Sequence, residues 1–112
     1  MVTELDAHTF SRFVREHGVA FIHFWAVWNG YDRTMKAVIR RVEPDYRGRV
    51  AVGAIDVDPE SHHAICVEHG VMGPPFYACY YNGRLQRTEV GVLTEEELRG
   101  RLDGLLRATD PG

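Results

Sequence analysis

The sequence is poor in cysteine, and its two cysteines do not have a spacing that redox or metal chemistry commonly uses. Cys66 and Cys79 lie 13 positions apart. That separation is neither the C-x-x-C of a redox pair nor the spacing of a zinc site. We therefore predict that both are small apolar fillers with free thiols, not paired with each other.

A basic excess, a long apolar run and a recognisable targeting segment are also missing. The net charge of −3 argues against a nucleic-acid surface. No apolar run approaches the roughly 20 residues of a membrane helix, and residues 1–6 lack the basic and apolar regions of a secretory signal. We expect a cytoplasmic protein that binds neither nucleic acid nor membrane, folded as one domain over residues 1–112.

Apolar patterning predicts strands and helices that alternate along the chain. Residues 19–25 are a nearly continuous apolar run, typical of a strand covered on both faces. Residues 32–46 carry apolar side chains at helical spacing, and Pro44 is expected to bend or interrupt this helix near its end. The predicted strands are residues 2–5, 19–25, 49–57, 76–81 and 85–90; the predicted helices are residues 6–16, 32–46, 58–70 and one that follows Thr94.

Local signals support several of these boundaries. Asp6 is a suitable N-cap for the first helix, and Thr94 with Glu97 has the pattern of a capping box for the last one. Asn82-Gly83 is a strong hairpin signal between the last two strands. The order β-α-β-α-β-α-β-β-α predicts an α/β fold with a mixed central sheet flanked by helices.

Five short motifs follow one another along nearly the whole chain. They are residues 24–28 (FWAVW) with the x-Gly-x-x turn after them, Val57-Asp58, residues 70–75 (GVMGPP), Asn82-Gly83, and Val90-Gly91 before the last helix. In this order and spacing they resemble the thioredoxin family, whose corresponding strand runs into a Trp-Cys-Gly-Pro-Cys turn. The resemblance implies a thioredoxin-like fold in which Pro75 is the cis-proline beside that turn.

The same resemblance indicates what this chain has lost. Asn29 and Asp32 stand where the family has its two active-site cysteines, and Tyr31 replaces the proline between them. His23 occupies the place of the family's buried acid, which assists proton transfer, and Ala54 that of its partner lysine. Thiol–disulfide exchange requires a thiolate that attacks a disulfide sulfur and a second thiol that releases the mixed disulfide. We therefore expect no dithiol–disulfide exchange.

Two hypotheses account for the residues at the turn. In the first, Asn29 caps the following helix and Asp32 lies in its first turn, near the positive end of the helix dipole. In the second, His23 lies beneath the turn, as the resemblance implies, and forms a charge-assisted acid–base pair with Asp32. No Ser or Thr nucleophile occurs within the turn, so we favour the structural hypothesis.

A scaffold of this kind without its thiols is expected to bind another protein or peptide through the former substrate groove. The predicted binding residues are Trp28, Gly30, Tyr31, Gly73, Pro74, Pro75, Gly91 and Val92. In the family, the residue before the cis-proline exchanges backbone hydrogen bonds with an extended substrate, but here it is Pro74, which has no N–H. Side-chain contacts should therefore supply more of the affinity. We expect a monomer or weak dimer that acts in protein interaction or chaperone-like assembly and needs no cofactor.

A second class of function stays open at this stage. His62, Cys66 and His69 share one face of the short third helix, and nitrogen and sulfur ligands of this kind suit zinc. No fourth ligand is apparent, so we predict no metal site and keep these three residues as weak candidates. The alternative function is a thiol-dependent or metal-dependent activity through Cys66 or Cys79, or a residual role related to that of an oxidoreductase.

Overall fold

The computed structural model describes residues 1–109, and its elements follow the predicted order. The last three positions of the predicted domain lie outside the described residues. The strands are β1 (Thr3–Leu5), β2 (Val19–Trp25), β3 (Ala51–Asp56), β4 (Phe76–Tyr81) and β5 (Arg84–Val90); the helices are α1 (Phe10–Glu16), α2 (Gly30–Tyr46), α3 (His63–His69), preceded by the 3₁₀ turn Glu60–His62, and α4 (Glu95–Thr109).

The five strands form one mixed sheet in the order β1-β3-β2-β4-β5. The first three neighbours, β1, β3 and β2, are parallel, whereas β4 runs antiparallel to β2, and β5 runs antiparallel to β4. This is the mixed central sheet flanked by helices that the sequence predicted. The turn between β2 and α2 therefore lies at the end of the central strand, where side chains from several elements converge.

Strand β2 divides its side chains between two apolar cores. Because successive side chains in a strand point to opposite faces, Phe21 joins a core with α2 and α4, while Ile22 and Phe24 join a second core with α1 and α3. His23 follows the alternation onto the face of Phe21. Its position beneath α2 is thus a consequence of strand geometry.

The sequence predicted the cap of α4 correctly, whereas Asp6 caps a turn before α1 and not α1 itself. Thr94 and Glu97 exchange the two hydrogen bonds of a capping box at 3.0 Å each. Asp6 does cap, but it accepts from the backbone N–H groups of His8 and Thr9 at 2.9 Å each in a separate turn. The first helix consequently begins at Phe10, four residues later than predicted.

Of the two effects expected of Pro44, interruption does not occur, since α2 continues to Tyr46, the predicted end of the helix. A proline this close to the end removes only one intrahelical donor, and contacts with α4 secure the last turn. The Tyr46 hydroxyl donates to Asp103 Oδ1 at 2.7 Å. The N–H groups of Arg49 and Val50 then bond to the Tyr46 carbonyl at 2.9 Å each, so β3 begins at Ala51 instead of residue 49.

No helix among residues 1–109 is both long enough and apolar enough to cross a membrane.

Candidate functional site

Asn29 fixes the turn between β2 and α2 in two directions. Its Oδ1 accepts from the Tyr31 N–H at 2.9 Å, which makes it the side-chain N-cap of α2. Its Nδ2 donates to the Pro74 carbonyl at 2.7 Å. One side chain therefore joins the helix start to the loop before β4, and the capping role expected of Asn29 is confirmed.

Asp32 lies in the first turn of α2, turned away from solvent and fully hydrogen-bonded. Asp32 and His23 are each 1% exposed, and His23 Nε2 lies 2.8 Å from Asp32 Oδ1. The other carboxylate oxygen accepts from the Ala26 N–H at 3.1 Å. We assign Nε2–H of His23 as the donor and the Asp32 oxygen as the acceptor of this hydrogen bond. The predicted contact between these two side chains is present and direct.

Tyr77 closes the buried pair from the side of β4. Its ring stacks on the His23 ring at 5.4 Å between centroids and an interplanar angle of 23°. Its hydroxyl donates to the Gly91 carbonyl at 2.9 Å. Burial, with the charge of Asp32 nearby, raises the pKa of Tyr77 well above its ordinary value. Sequence reasoning missed Tyr77, although its pairing with His23 across β2 and β4 follows from the register.

The outer side of the turn is an exposed aromatic surface. Trp28 is 65% exposed and Tyr31 66%, and with Gly30, Thr34 and Pro74 they line a shallow depression of about 550 Å³. Trp28 is held by a hydrogen bond from Nε1 to Asp58 Oδ1 at 2.8 Å. Four predicted binding residues, Trp28, Gly30, Tyr31 and Pro74, are thus brought together.

The remaining predicted binding residues adjoin this depression through the backbone. The Pro74–Pro75 peptide bond is cis, and the Pro75 carbonyl accepts from the Gly91 N–H at 2.9 Å. Val92, next after Gly91, is 46% exposed, and Gly73 is exposed as well. Pro74 has no N–H, and its carbonyl already accepts from Asn29, which limits backbone pairing with an extended peptide.

Two exposed apolar residues near the turn were missed by the sequence reasoning. Met72 lies in the loop before Pro74 and is 96% exposed; Val27 precedes Trp28 and is 71% exposed. The signal in the sequence was that Met72 is an apolar residue in a loop rich in glycine and proline, and such a residue is not placed in the core by a strand or a helix. We define the turn patch as Val27, Trp28, Tyr31, Met72 and Val92.

The three weak metal candidates are engaged in other contacts. His62 Nδ1 donates to the Asp56 carbonyl at 2.6 Å. His69 donates through Nδ1 to the Ile65 carbonyl at 2.7 Å and accepts through Nε2 from the Tyr80 hydroxyl. Within residues 1–109, no three His, Cys, Asp or Glu side chains are grouped so as to hold a metal ion.

Both cysteines are free and buried, as predicted. Cys66 lies on α3 and Cys79 in the interior of β4. Burial raises the pKa of each thiol, which lowers the thiolate fraction at neutral pH. Neither lies at the turn between β2 and α2.

Comparison with known proteins gives one consistent result. A family model described as Thioredoxin matches residues 1–104. The chain is similar to a thioredoxin of Pseudomonas aeruginosa, with 26% identity over 92% of this chain and 94% of that protein. It is also similar to a thioredoxin of Staphylococcus aureus, with 30% identity over 79% of this chain and 83% of that protein. With the mixed sheet, the capped turn and the loop beside it, these matches establish that the chain belongs to the thioredoxin family.

Proposed function

We propose that this chain is a redox-inactive thioredoxin-family domain that binds another protein or peptide through the former substrate groove. The observation that carries the proposal is the buried carboxylate of Asp32, which accepts from His23 and Ala26 where the resemblance expects a thiol. A carboxylate in this position can neither attack sulfur nor release a mixed disulfide. The turn is built as a helix start and not as a reactive centre.

The turn patch supplies the binding half of the proposal. Aromatic side chains dominate the affinity of many protein interfaces when they anchor in a partner's pocket. Trp28 and Tyr31 are both largely exposed. Asn29 ties the turn that carries them to Pro74, and Asp58 accepts a hydrogen bond from the Trp28 indole. We expect the partner to present apolar pockets to these rings, and not an extended strand to Pro74, which offers no free backbone group.

The alternative of a thiol-dependent activity has less support. Cys66 and Cys79 are buried and their pKa values are raised, whereas reactive cysteines are accessible and have lowered pKa values. A cytoplasmic location and a monomeric or weakly dimeric state are further parts of the proposal. A chaperone-like role in the folding or assembly of the partner is its most specific form.

An insulin-reduction assay with dithiothreitol, beside an ordinary thioredoxin, tests the redox half. We expect no rate above the dithiothreitol background. Turnover that disappears in a Cys66→Ser or Cys79→Ser variant would contradict the proposal and favour the thiol-dependent alternative.

Affinity capture from native cell extract tests the binding half. A Trp28→Ala, Tyr31→Ala double variant should lose a partner that the unmodified chain retains. The matched control is Val67→Ala, which truncates a 64% exposed side chain on α3 and should retain the partner. Equal retention by all three proteins would show that the turn patch is not the interface.

A further inference from the structure

A groove of about 400 Å³ lies between α2 and the β1 side of the sheet, behind the former active-site turn. Its origin is a row of three neighbouring side chains: Glu4 pairs with Ala54 across β1 and β3, and Ala54 pairs with His23 across β3 and β2. Ala54 has only a methyl group between two longer side chains, so it leaves a gap in the row. Ile39 of α2 contributes apolar surface to the same groove.

His23 gives this groove a buried polar end. The side chain lines the groove, whereas its Nε2 is directed to Asp32, which lies outside the groove lining. Within residues 1–109, the hydrogen bonds of His23 involve Nε2 alone. Nδ1 is therefore left without a partner among these residues. Where Nε2–H donates to Asp32, Nδ1 is the acceptor of the ring.

The wall formed by α2 adds positive charge. Lys36 and Arg40 line the groove one turn apart. Arg40 has no ion-pair partner among the described residues and is therefore available to an anion in the groove. The Lys36 ammonium lies 3.2 Å from the centroid of the Trp25 ring and adds its charge from that side.

The acidic residues of the groove offset this charge only in part. Glu43 is paired with Arg47, which donates to its two carboxylate oxygens at 2.8 and 3.2 Å. Glu4 accepts from Trp25 Nε1 at 2.9 Å, and partial burial raises the pKa of its carboxyl group. The positive groups that line the groove, on Met1, Lys36, Arg40 and Arg47, thus outnumber its two carboxyl groups, Glu4 and Glu43, which favours an anionic ligand.

We propose that this groove binds a small organic carboxylate that carries a hydrogen-bond donor at its other end. The carboxylate lies beside Arg40 and Lys36, the apolar body packs on Ile39 and Ala54, and the donor contacts His23 Nδ1. The volume falls within the range of small-molecule sites, roughly 300–1,000 Å³. The site is separate from the turn patch and does not depend on the proposed partner.

The test uses the full ¹⁵N-labelled chain and three probes of one shape: 4-hydroxybenzoate, benzoate and 4-hydroxybenzylamine. We expect 4-hydroxybenzoate to shift the amide signals of Glu4, Lys36 and Ala54 and the imidazole nitrogens of His23. Benzoate should bind more weakly because it lacks the donor, and the amine weakest because its charge is reversed. Arg40→Gln should weaken 4-hydroxybenzoate binding about tenfold, as expected for a charge-assisted hydrogen bond, while the control Arg84→Gln on β5 should not.

Ala54→Leu fills the groove and should abolish binding. If that variant does not fold, the comparison of Arg40→Gln with Arg84→Gln decides the test. Shifts that fall outside the groove, equal or tighter binding of either other probe, or unchanged affinity in Arg40→Gln would each overturn the proposal.

Discussion

Tyr31 and Asp32 are neighbours in the chain, yet Tyr31 is 66% exposed and Asp32 is 1% exposed. The inner half of the turn, with His23 and Ala26, consists of buried polar groups whose hydrogen bonds hold the helix start. The outer half consists of exposed rings without a core to join. The comparison separates what a residue does for the fold from what it offers to a partner, and it predicts a different response to substitution on each side.

The largest effect is expected when the inner half is replaced as a whole. Asn29→Cys with Asp32→Cys removes the cap and the buried carboxylate together. We expect a reduced protein less stable than either single variant, with only a small fraction of the insulin-reduction rate of an ordinary thioredoxin. The reason is that four other departures from the family remain. His23 and Ala54 do not supply its proton relay, Tyr31 does not stiffen the turn as the family's proline does, and Pro74 has no N–H to pair with a substrate. A rate equal to that of the thioredoxin would show that these other departures are incidental.

Asp32→Ala alone should be the most destabilising single change at the turn. It leaves the His23 Nε2–H and the Ala26 N–H buried without an acceptor. Each buried donor left without an acceptor costs about 1–3 kcal/mol, and the loss is measured by urea denaturation monitored by circular dichroism. The control Asp58→Ala removes an exposed carboxylate and should cost less than about 1 kcal/mol. Equal losses in the two variants would contradict the structural importance given to the inner half.

Substitutions of Asn29 separate its two hydrogen bonds. Asn29→Ala removes both the cap and the donor to Pro74, and cap removal costs about 0.5–2 kcal/mol. Asn29→Asp keeps a capping oxygen but removes the donor. Its loss in the free energy of unfolding should therefore be smaller than that of Asn29→Ala. If both variants lose the same amount, the contact with Pro74, and not the cap, stabilises the turn.

The smallest effect on stability is expected on the outer half. Truncation of the exposed ring in Trp28→Ala should change the free energy of unfolding by less than about 0.5 kcal/mol, the usual range for surface substitutions. The loss of the exposed hydrogen bond to Asp58 adds to this change. The same variant should lose partner binding. A loss of stability comparable to that of Asp32→Ala would mean that the ring is part of the fold and would remove the distinction between the halves.

The sequence predicted well wherever a local rule determined the geometry. The cap at Asn29 and the capping box at Thr94 each depend on residues a few positions apart. The approach of His23 to Asp32 came from the family resemblance and not from periodicity. The element order was right because each apolar run has its own period and is bounded by turn residues.

What the sequence did not predict depends on contacts between distant segments. The start of α1 at Phe10 is set by the separate turn that Asp6 caps, which propensity does not register. The groove at Ala54 exists because two strands place longer side chains on either side of a methyl group. The position of Met72 in a loop suggests that it is exposed, but the extent of its exposure follows only from the fold.

The two hydrogen bonds of Asn29 also bear on the rate at which a partner leaves. The Asn29 side chain couples the start of α2 to the loop that carries Met72 and Pro74, so the two sides of the turn patch are held in one arrangement before binding. A preorganised surface loses little conformational entropy on association. Differences in affinity among related partners should then appear mainly in their dissociation rates, which depend on how well each partner's pockets accept Trp28 and Tyr31.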